Sequence, residues 1–319
     1  MRAVLCAREP VFVQDHPEPS PAPGEALIQL RTAGICHTDL ELARGYMSYR
    51  GVLGHEFVGR VLSASDGALV GKRVVADINA GCGRCEACAR GDAHHCPSRT
   101  VLGIVGRDGA MADRFTMKES CLVEVPDSVS DDAAVFAEPL AAALHVLDDA
   151  PPGTEPIVVL GDGKLGQLIA RAVVGSGRDA VVVGRHESKL ALVRAAGASA
   201  MLESDVGSTL DGARVVVEAT GRAAGIALAL RLVRPRGTVI LKTTIAGATS
   251  VDLSPIVINE LRVVGSRCGN LQSAIDALAA HRVDPTPLID AHYPLSEADE
   301  AFRHAGQPGA LKVLLERRA

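Results

Sequence analysis

Four cysteines lie in one short segment of the 319-residue chain. Cys82, Cys85, Cys88 and Cys96 are separated by two, two and seven residues in GCGRCEACARGDAHHC. Four thiolates close a tetrahedral zinc shell with no open position, so such a site holds a loop in place and contributes local folding energy. An iron–sulfur cluster uses the same ligands, and free surface cysteines are the simpler alternative. The spacing favours a structural zinc site.

A second set of possible metal ligands is dispersed over three segments. Cys36 occurs in GICHTD, His55 and Glu56 in GHEFVG, and Glu138 in FAEPL. Sulfur, nitrogen and oxygen ligands from distant segments suit a catalytic zinc, which keeps one position for water or substrate. Taken singly, each residue is more commonly a buried cysteine, a core histidine or a surface carboxylate. The set indicates a second metal site but needs independent support.

A glycine-rich motif follows an apolar strand and opens an apolar-periodic helix. In VVLGDGKLGQLIA, Gly161 permits a tight turn, Gly163 lets the backbone approach a pyrophosphate, and Gly166 allows close helix–sheet packing. Lys164 and Leu165 belong to the same candidate cofactor-binding motif, and the phosphates would lie at the positive end of the helix that it opens. A glycine-rich turn without a ligand is the alternative. The motif predicts a dinucleotide site.

The next strand lacks the acidic residue that would bind the ribose of NAD. Gly184, Arg185 and His186 stand there in AVVVGRHESK. A small residue followed by a cation leaves room and charge for the 2′-phosphate of NADP, and His186 stands next to assist the arginine. An exposed arginine without a ligand is the plain alternative. The sequence predicts NADP as the preferred cofactor, with NAD as the alternative.

Two different patterns of apolar residues along the chain indicate the strands and helices that position these residues. The first 130 residues contain short β-branched runs separated by Gly, Pro and Asp, which predicts a β-rich domain. From Glu155 onward, continuous apolar runs alternate with helical patterns. Continuous apolarity is typical of strands covered on both faces. The βαβ order predicts an α/β fold with a parallel doubly wound sheet.

The length of the chain exceeds the size at which one core usually keeps growing, so we expect two domains. A helix over 139–149 connects them, and the chain after about residue 268 rejoins the first domain. The predicted catalytic domain comprises 1–139 and 269–319, and the nucleotide-binding domain comprises 140–268.

Composition excludes several classes of function. A net charge of -5 provides no broad cationic face for nucleic acid or anionic lipid. The opening segment MRAVLCAREP lacks the apolar core of a signal peptide, and no apolar run approaches the roughly 20 residues of a membrane span. We therefore expect a cytoplasmic protein that acts on a small molecule and has no structural disulfide.

Taken together, GICHTDL, VLGHEFVG, the four-cysteine loop and the glycine motif resemble the zinc-containing medium-chain dehydrogenase/reductase superfamily over essentially the whole chain. The resemblance is closest to the sorbitol and threonine dehydrogenase branches, where a glutamate precedes the proline of an EPL segment, as Glu138 does here. It implies a β-rich GroES-like catalytic domain, a Rossmann domain and two zinc ions per chain. It also implies that Cys36 and His55 are zinc ligands, that Glu56 and Glu138 are candidates that exchange with water, and that the protein is a homodimer or homotetramer.

The same resemblance suggests roles around the ligands. Asp39 would hold the free imidazole nitrogen of His55, and Thr38 would bond the substrate hydroxyl and pass on its proton; a helix-start residue is the alternative for Thr38. Many relatives carry a histidine five residues after the ligand cysteine, where this chain has Glu41, so the outer proton route differs. Lys312 aligns with a basic residue that approaches the cofactor pyrophosphate in relatives, and a solvated lysine near the last strand is the equal alternative.

The implied reaction is hydride transfer between a nicotinamide cofactor and an alcohol or ketone, with secondary alcohols, polyols or amino alcohols favoured. The segment GYMSYRG, with Tyr46 and Tyr49, is predicted to line the substrate pocket. The rival hypothesis is a non-catalytic zinc- and nucleotide-binding redox sensor that uses Cys6, Cys36, Cys121 or Cys268. The retained set of Cys36, Thr38 and His55 argues against the sensor.

Overall fold

The computed structural model describes residues 1–7, 9–207, 210–244 and 248–318. Arg8 of the opening segment and Ala319 of the predicted catalytic domain therefore lie outside the described residues. The chain forms two compact units, one of Met1–Glu138 with Leu288–Ala319 and the other of Pro139–Pro287. Within the described part of the chain, no helix is long and apolar enough to cross a membrane.

Short strands predominate in the first part of the chain, and strands alternate with helices from Ile157 onward, as the sequence patterns predict. In chain order, the helices and strands are β1 (Ala3–Cys6), β2 (Pro10–Val13), β3 (Glu25–Gly34), α1 (His37–Ala43), β4 (Gly51–Val52), β5 (Glu56–Ser63), β6 (Arg73–Ala76), β7 (Asn79–Ala80), α2 (Glu86–Ala89), β8 (Thr100–Val101), β9 (Arg114–Lys118), β10 (Leu122–Glu124), α3 (Asp131–Ala134), α4 (Ala137–Asp149), β11 (Ile157–Leu160), α5 (Lys164–Gly175), β12 (Ala180–Gly184), α6 (Glu187–Ala195), β13 (Ser199–Leu202), β14 (Ala213–Glu218), α7 (Ala224–Leu232), β15 (Val233–Leu241), α8 (Ser254–Ile258), β16 (Arg262–Gly265), α9 (Leu271–Ala279), β17 (Ile289–Pro294), α10 (Ala298–Ala305) and β18 (Lys312–Glu316). Short 3-10 turns occur at Tyr46–Ser48, Gly67–Leu69, Ala93–His95, Glu119–Cys121, Glu203–Asp205, Thr286–Leu288 and Leu295–Glu297.

The first unit is built around β3. Its alternating residues bury Ile28 and Leu30 in a core that also holds Phe57 and Phe115, whose rings meet edge to face at 4.7 Å. The main sheet has the order β10-β6-β5-β3-β18-β17, and β9 also pairs with β3. Because β3 pairs antiparallel with β5 and with β18, the end of β3 meets the start of both neighbours. That corner of the sheet carries the candidate catalytic ligands.

The second unit is a doubly wound sheet of six parallel strands in the order β13-β12-β11-β14-β15-β16. Every residue of β11 is buried, as its continuous apolar run IVVL predicts. Numbered within the unit, the order is 3-2-1-4-5-6, which is the Rossmann arrangement. The topological switch point lies between β11 and β14, and the α/β fold class predicted from the sequence is confirmed.

The boundary after the second unit differs from the predicted one. The unit extends to Pro287 and includes α9, whereas the sequence placed the boundary at residue 268. The segment after α9 contacts α5, because a Cβ on Gly175 would lie 2.3 Å from the Arg282 carbonyl oxygen and Arg171 Nε donates to the Asp284 carbonyl at 3.2 Å. These contacts join residues far apart in sequence, so the local pattern did not reveal them.

Candidate functional site

The four clustered cysteines converge. Ligand atoms of Cys82, Cys85, Cys88 and Cys96 all lie within 4.8 Å of one another. A zinc tetrahedron with Zn–S bonds of about 2.3 Å has sulfur–sulfur edges of about 3.8 Å, so the four thiols fit a closed zinc shell with small adjustments. All eight cysteines of the chain lie in the described residues, and none of them is joined in a disulfide bond.

Backbone groups around this cluster favour thiolates. Cys85 is the N-cap of α2, and Cys82 N–H donates to Cys96 Sγ at 3.3 Å. Backbone N–H donation, first from Arg84, lowers the pKa of Cys82 to about 6. A Cβ on Gly81 would lie 2.8 Å from Cys88 Sγ, so the chain passes close to the sulfurs. The loop is shaped to hold an ion through sulfur.

Strand register explains the second cluster. Gly34 at the end of β3 pairs with Glu56 at the start of β5, so Cys36 and His55, which lie just beyond this pair, become neighbours. Ligand atoms of Cys36, His55 and Glu56 lie within 4.8 Å of one another. A Cβ on Gly34 would lie 2.5 Å from Glu56 Oε2, so a larger residue there would displace the carboxylate.

Asp39 joins the two ligand-bearing segments. Its side chain is 0% exposed. Oδ2 accepts from the Cys36 backbone N–H at 2.8 Å, and Oδ1 accepts from the Gly54 N–H at 3.3 Å. His55 Nδ1 lies 3.2 Å from Oδ1, although the angle falls short of a hydrogen bond. One carboxylate thus positions the N-terminus of α1 and the turn before β5.

Lys312 neutralises Glu56. Its ammonium donates to Glu56 Oε2, both side chains are 2% exposed, and Nζ lies 5.3 Å from the Phe136 ring centroid. Burial alone would lower the pKa of Lys312, but the Glu56 charge raises it, so the ammonium stays charged. Lys312 is therefore the ion-pair partner of a candidate ligand, and its predicted contact with a cofactor pyrophosphate stays a prediction.

Glu138 lies outside the three-ligand group. It is the second residue of α4, and its carboxyl is within electrostatic range of His55, Glu56 and Lys312. Burial, reinforced by the Glu56 charge, raises the pKa of Glu138 to about 7. In this arrangement Glu56, rather than Glu138, completes the group with sulfur and imidazole.

The residues predicted for proton transfer occupy different environments. Thr38 is half-buried, and its Oγ1 lies 3.7 Å from Cys36 Sγ. Glu41 bonds Arg44 at 2.6 Å and lies 3.6 Å from the exposed ring of His37. The Thr38 hydroxyl is thus beside the ligand thiol, whereas Glu41 is engaged at the surface.

The predicted pocket segment borders a cavity of about 460 Å³ in the first unit. Tyr49 lines this cavity and donates to the Val52 carbonyl at 2.7 Å, whereas Tyr46 is not among the lining residues. Met47 and Ser48 adopt φ angles of 55° and 51°, in the left-handed region where side chains are strained. The predicted contact of this segment, including Tyr46 and Tyr49, with the substrate stays a prediction.

The glycine motif has the geometry of a dinucleotide loop. Gly161 has φ +115°, and a Cβ there would lie 2.5 Å from the Ala219 carbonyl oxygen at the end of β14. A Cβ on Gly166 would lie 2.0 Å from the Gly161 carbonyl oxygen. Gly163, the N-cap of α5, has nothing within 4 Å of its Cβ position. The loop is packed on its inner side and open before Lys164 and Leu165, as a pyrophosphate requires.

Asp162 was not predicted as a site residue, yet its carboxylate binds the turn at the end of β12, beside the predicted Arg185. Arg185 is exposed, and the structure gives its guanidinium no hydrogen bond or ion pair among the described residues. The backbone N–H groups of Arg185 and His186 donate to the Asp162 carboxylate at 2.8 and 2.7 Å. Asp162 occupies the variable position between Gly161 and Gly163, and that unusual acid was the available signal.

Two of the extra cysteines, Cys6 and Cys121, do not resemble reactive thiols. Cys6 is buried, with Sγ 3.4 Å from the Leu42 carbonyl oxygen, and burial raises its pKa. Burial also raises the pKa of Cys121 to about 11. Redox-active cysteines have lowered pKa values, so no observation at these two sites favours the sensor.

A β-rich unit with a sulfur, nitrogen and oxygen cluster, together with a Rossmann unit, defines the class of zinc-containing nucleotide-linked oxidoreductases. Family comparison agrees: the alcohol dehydrogenase GroES-like domain matches residues 22–127, and the zinc-binding dehydrogenase domain matches residues 165–282. The chain belongs to the zinc-type alcohol dehydrogenase family, within the medium-chain dehydrogenase/reductase superfamily.

Relatives of known sequence span nearly the whole chain. A zinc-type alcohol dehydrogenase-like protein of Haemophilus influenzae is 31% identical over 306 residues, covering 89% of each chain. An erythritol/L-threitol dehydrogenase of Mycolicibacterium smegmatis is 30% identical over 332 residues, covering 93% of this chain and 92% of its own.

Solved structures share the fold and differ in bound cofactor. An Escherichia coli CFT073 alcohol dehydrogenase with NADH has a TM-score of 0.92 at 25% identity and 99% coverage of both chains. A Sinorhizobium meliloti zinc-binding dehydrogenase with NADP has a TM-score of 0.88 at 27% identity, covering 99% of this chain and 98% of its own. The family supports zinc and a nicotinamide cofactor, without choosing between NAD and NADP.

Proposed function

We propose that the protein is a zinc-dependent dehydrogenase that interconverts a secondary alcohol, polyol or amino alcohol with its ketone, using a nicotinamide cofactor. The observation that carries the proposal is the convergence of Cys36, His55 and Glu56 within 4.8 Å. Thiolate, imidazole and carboxylate donors suit zinc, and three protein ligands leave a position for substrate. We propose these three as ligands, with Glu138 as a further candidate carboxylate that exchanges with water.

The bound groups would supply Lewis acidity toward the substrate oxygen and an acceptor for hydride. The protein provides orientation and proton transfer. Asp39 holds Cys36 and His55 in place, and Lys312 balances the charge of Glu56. The half-buried Thr38 hydroxyl receives the substrate proton at Oγ1 and passes its own proton outward.

The four-cysteine loop is proposed to hold a second, structural zinc. Its four sulfur ligands leave no position for substrate, so its contribution is to folding. This gives two zinc ions per chain.

NADP is proposed as the preferred cofactor and NAD as the alternative. The exposed Arg185 guanidinium supports this preference, because it is available to pair with a 2′-phosphate. His186 begins α6 as its N-cap, and Lys189 follows on the first turn of that helix.

Self-association is proposed through the edge of the parallel sheet. Strand β16 has β15 as its one partner strand among the described residues. Near it, Val257 and Ile258 of α8 are 75% and 77% exposed. A second copy would cover this apolar edge, consistent with a homodimer or homotetramer.

The deciding experiment is an assay of purified protein against polyols, secondary alcohols, amino alcohols and ketones, each with NAD(H) and NADP(H). Parent protein should turn over at least one class and contain about two zinc ions per chain. The matched pair Cys36→Ser and Cys6→Ser separates ligand loss from the loss of a buried thiol. Retained activity in Cys36→Ser, or no turnover of any class by zinc-loaded parent protein, would refute the proposal.

A further inference from the structure

The nucleotide site contains an acidic group, although the end of β12 does not. Asp162 comes from the glycine-rich loop, and its side chain is 10% exposed. Oδ2 accepts from Arg185 N–H at 2.8 Å and from His186 N–H at 2.7 Å. His186 Nδ1 lies 3.0 Å from the same oxygen. A carboxylate from one loop therefore binds the turn that follows the neighbouring strand.

Gly184 has no side chain, and the Asp162 side chain occupies the space that a side chain at residue 184 would need. A Cβ on Gly184 would lie 2.6 Å from Asp162 Cβ and 2.7 Å from its Oδ2. Contacts this close require atoms to move, so the acid usual at the end of the second strand does not fit here. Gly184 makes room for the carboxylate that Asp162 supplies from the other side.

The Asp162 carboxylate is a fixed anion that can accept a further hydrogen bond. Burial alone would raise its pKa, but the N–H groups of His186 and Arg185 outweigh burial and lower it. Among the residues that the structure describes, Oδ1 has one polar neighbour, the His186 ring nitrogen Nδ1 at 3.2 Å. A carboxylate oxygen has two lone pairs, so Oδ1 retains room for a hydroxyl donor.

We propose that Asp162 opposes the NADP preference that Arg185 supports, and so helps to set the selectivity of this site between the two nicotinamide cofactors. Its carboxylate accepts a hydrogen bond from the adenosine ribose hydroxyl of NAD and repels the 2′-phosphate of NADP. This inference rests on the proposed dehydrogenase function. Asp162 acts against Arg185: the buried anion accepts from two backbone N–H groups and lies beside the His186 ring, whereas the arginine is exposed and unpaired among the described residues.

Direct titration of full-length, zinc-loaded protein with NADH and with NADPH tests the inference without any substrate, because binding changes the fluorescence of the reduced cofactor. In Asp162→Asn the ratio of NADPH affinity to NADH affinity should rise roughly 5- to 30-fold, the size expected when one unit charge ceases to act on a phosphate across a part-exposed site. Asp179→Asn is the matched control, because it removes the same charge just before the opposite end of β12. Its ratio should stay within about twofold of the parent.

A second variant separates selectivity from simple support of the turn. Asp162→Ser keeps a side-chain oxygen that accepts an N–H bond but carries no charge, and it should shift the ratio in the same direction. If both variants weaken the two cofactors equally, or leave the ratio within twofold, Asp162 serves only to cap the turn and the inference is overturned. If parent protein binds neither cofactor, the dehydrogenase proposal fails together with this inference, which is a distinguishable result.

Discussion

Replacing Asp39 by asparagine tests whether one buried carboxylate assembles the catalytic centre. Asp39 contacts the Cys36 N–H at 2.8 Å, the Gly54 N–H at 3.3 Å and His55 Nδ1 at 3.2 Å. Asparagine has nearly the same shape but offers one oxygen and one NH₂ group. Its NH₂ must face a donor that the carboxylate accepted, and the negative charge beside the imidazole is lost.

The expected cost follows from these contacts. Loss of one hydrogen bond to a charged group costs about 1.5–3 kcal/mol, which corresponds to about 10- to 150-fold in zinc affinity. Replacement of groups that orient metal ligands typically costs about 10- to 100-fold, in agreement. The four-cysteine site has none of these contacts, so its zinc should remain.

Zinc affinity measured by chelator competition, with metal content and kcat/KM, provides the test. Asp39→Asn should fall from about two zinc ions per chain to about one under moderate chelation, with at least a tenfold loss of kcat/KM. Asp66→Asn is the control, because its exposed carboxylate caps the turn Gly67–Leu69 and carries the same charge. If Asp39→Asn binds its second zinc within twofold of the parent, Asp39 does not organise the centre.

Four other variants address the remaining proposals. In Cys36→Ser, metal analysis should find about one zinc ion per chain, and kcat/KM should fall by at least about 10³-fold. Two retained zinc ions would contradict the assignment of Cys36 as a ligand. Cys88→Ser should lose the other zinc and melt at a lower temperature by calorimetry, and an unchanged melting temperature would show that the loop needs no metal. Arg185→Ala should lower the NADP-to-NAD ratio of kcat/KM roughly 10- to 150-fold, whereas an unaltered ratio would remove the arginine from phosphate binding. Ile258→Lys should reduce the assembly mass in light scattering, and a mass equal to the parent's would place the interface elsewhere.

Local patterns were sufficient to predict the Rossmann unit. Continuous apolar runs identified strands such as β11, and the spacing of Gly161, Gly163 and Gly166 located the turn between strand and helix. These features depend on neighbouring residues, whose periodicity is visible in the sequence. The position of α9 depends instead on contacts between Gly175 and Arg282, and no local pattern encodes a contact across that separation.

The candidate site shows the same division. Short motifs identified Cys36, His55 and Glu56, and the structure brings them together. The partner of Lys312 depends on the pairing of β18 with β3, which joins residues distant in sequence, so the basic residue was visible but its ion pair with Glu56 was not. Asp162 was overlooked because its position in a glycine-rich turn is normally read for glycine spacing alone.

The pairing of β18 with β3 also has a consequence for biosynthesis. Lys312 follows Glu56 by 256 residues, so the ribosome makes β3, β5 and the whole Rossmann unit before it makes the cation that balances Glu56. Until β18 joins the sheet, the carboxylate of Glu56 lacks the ammonium that donates to it in the folded chain. The order of translation therefore leaves the charge of Glu56 without its ion-pair partner until the late strand docks.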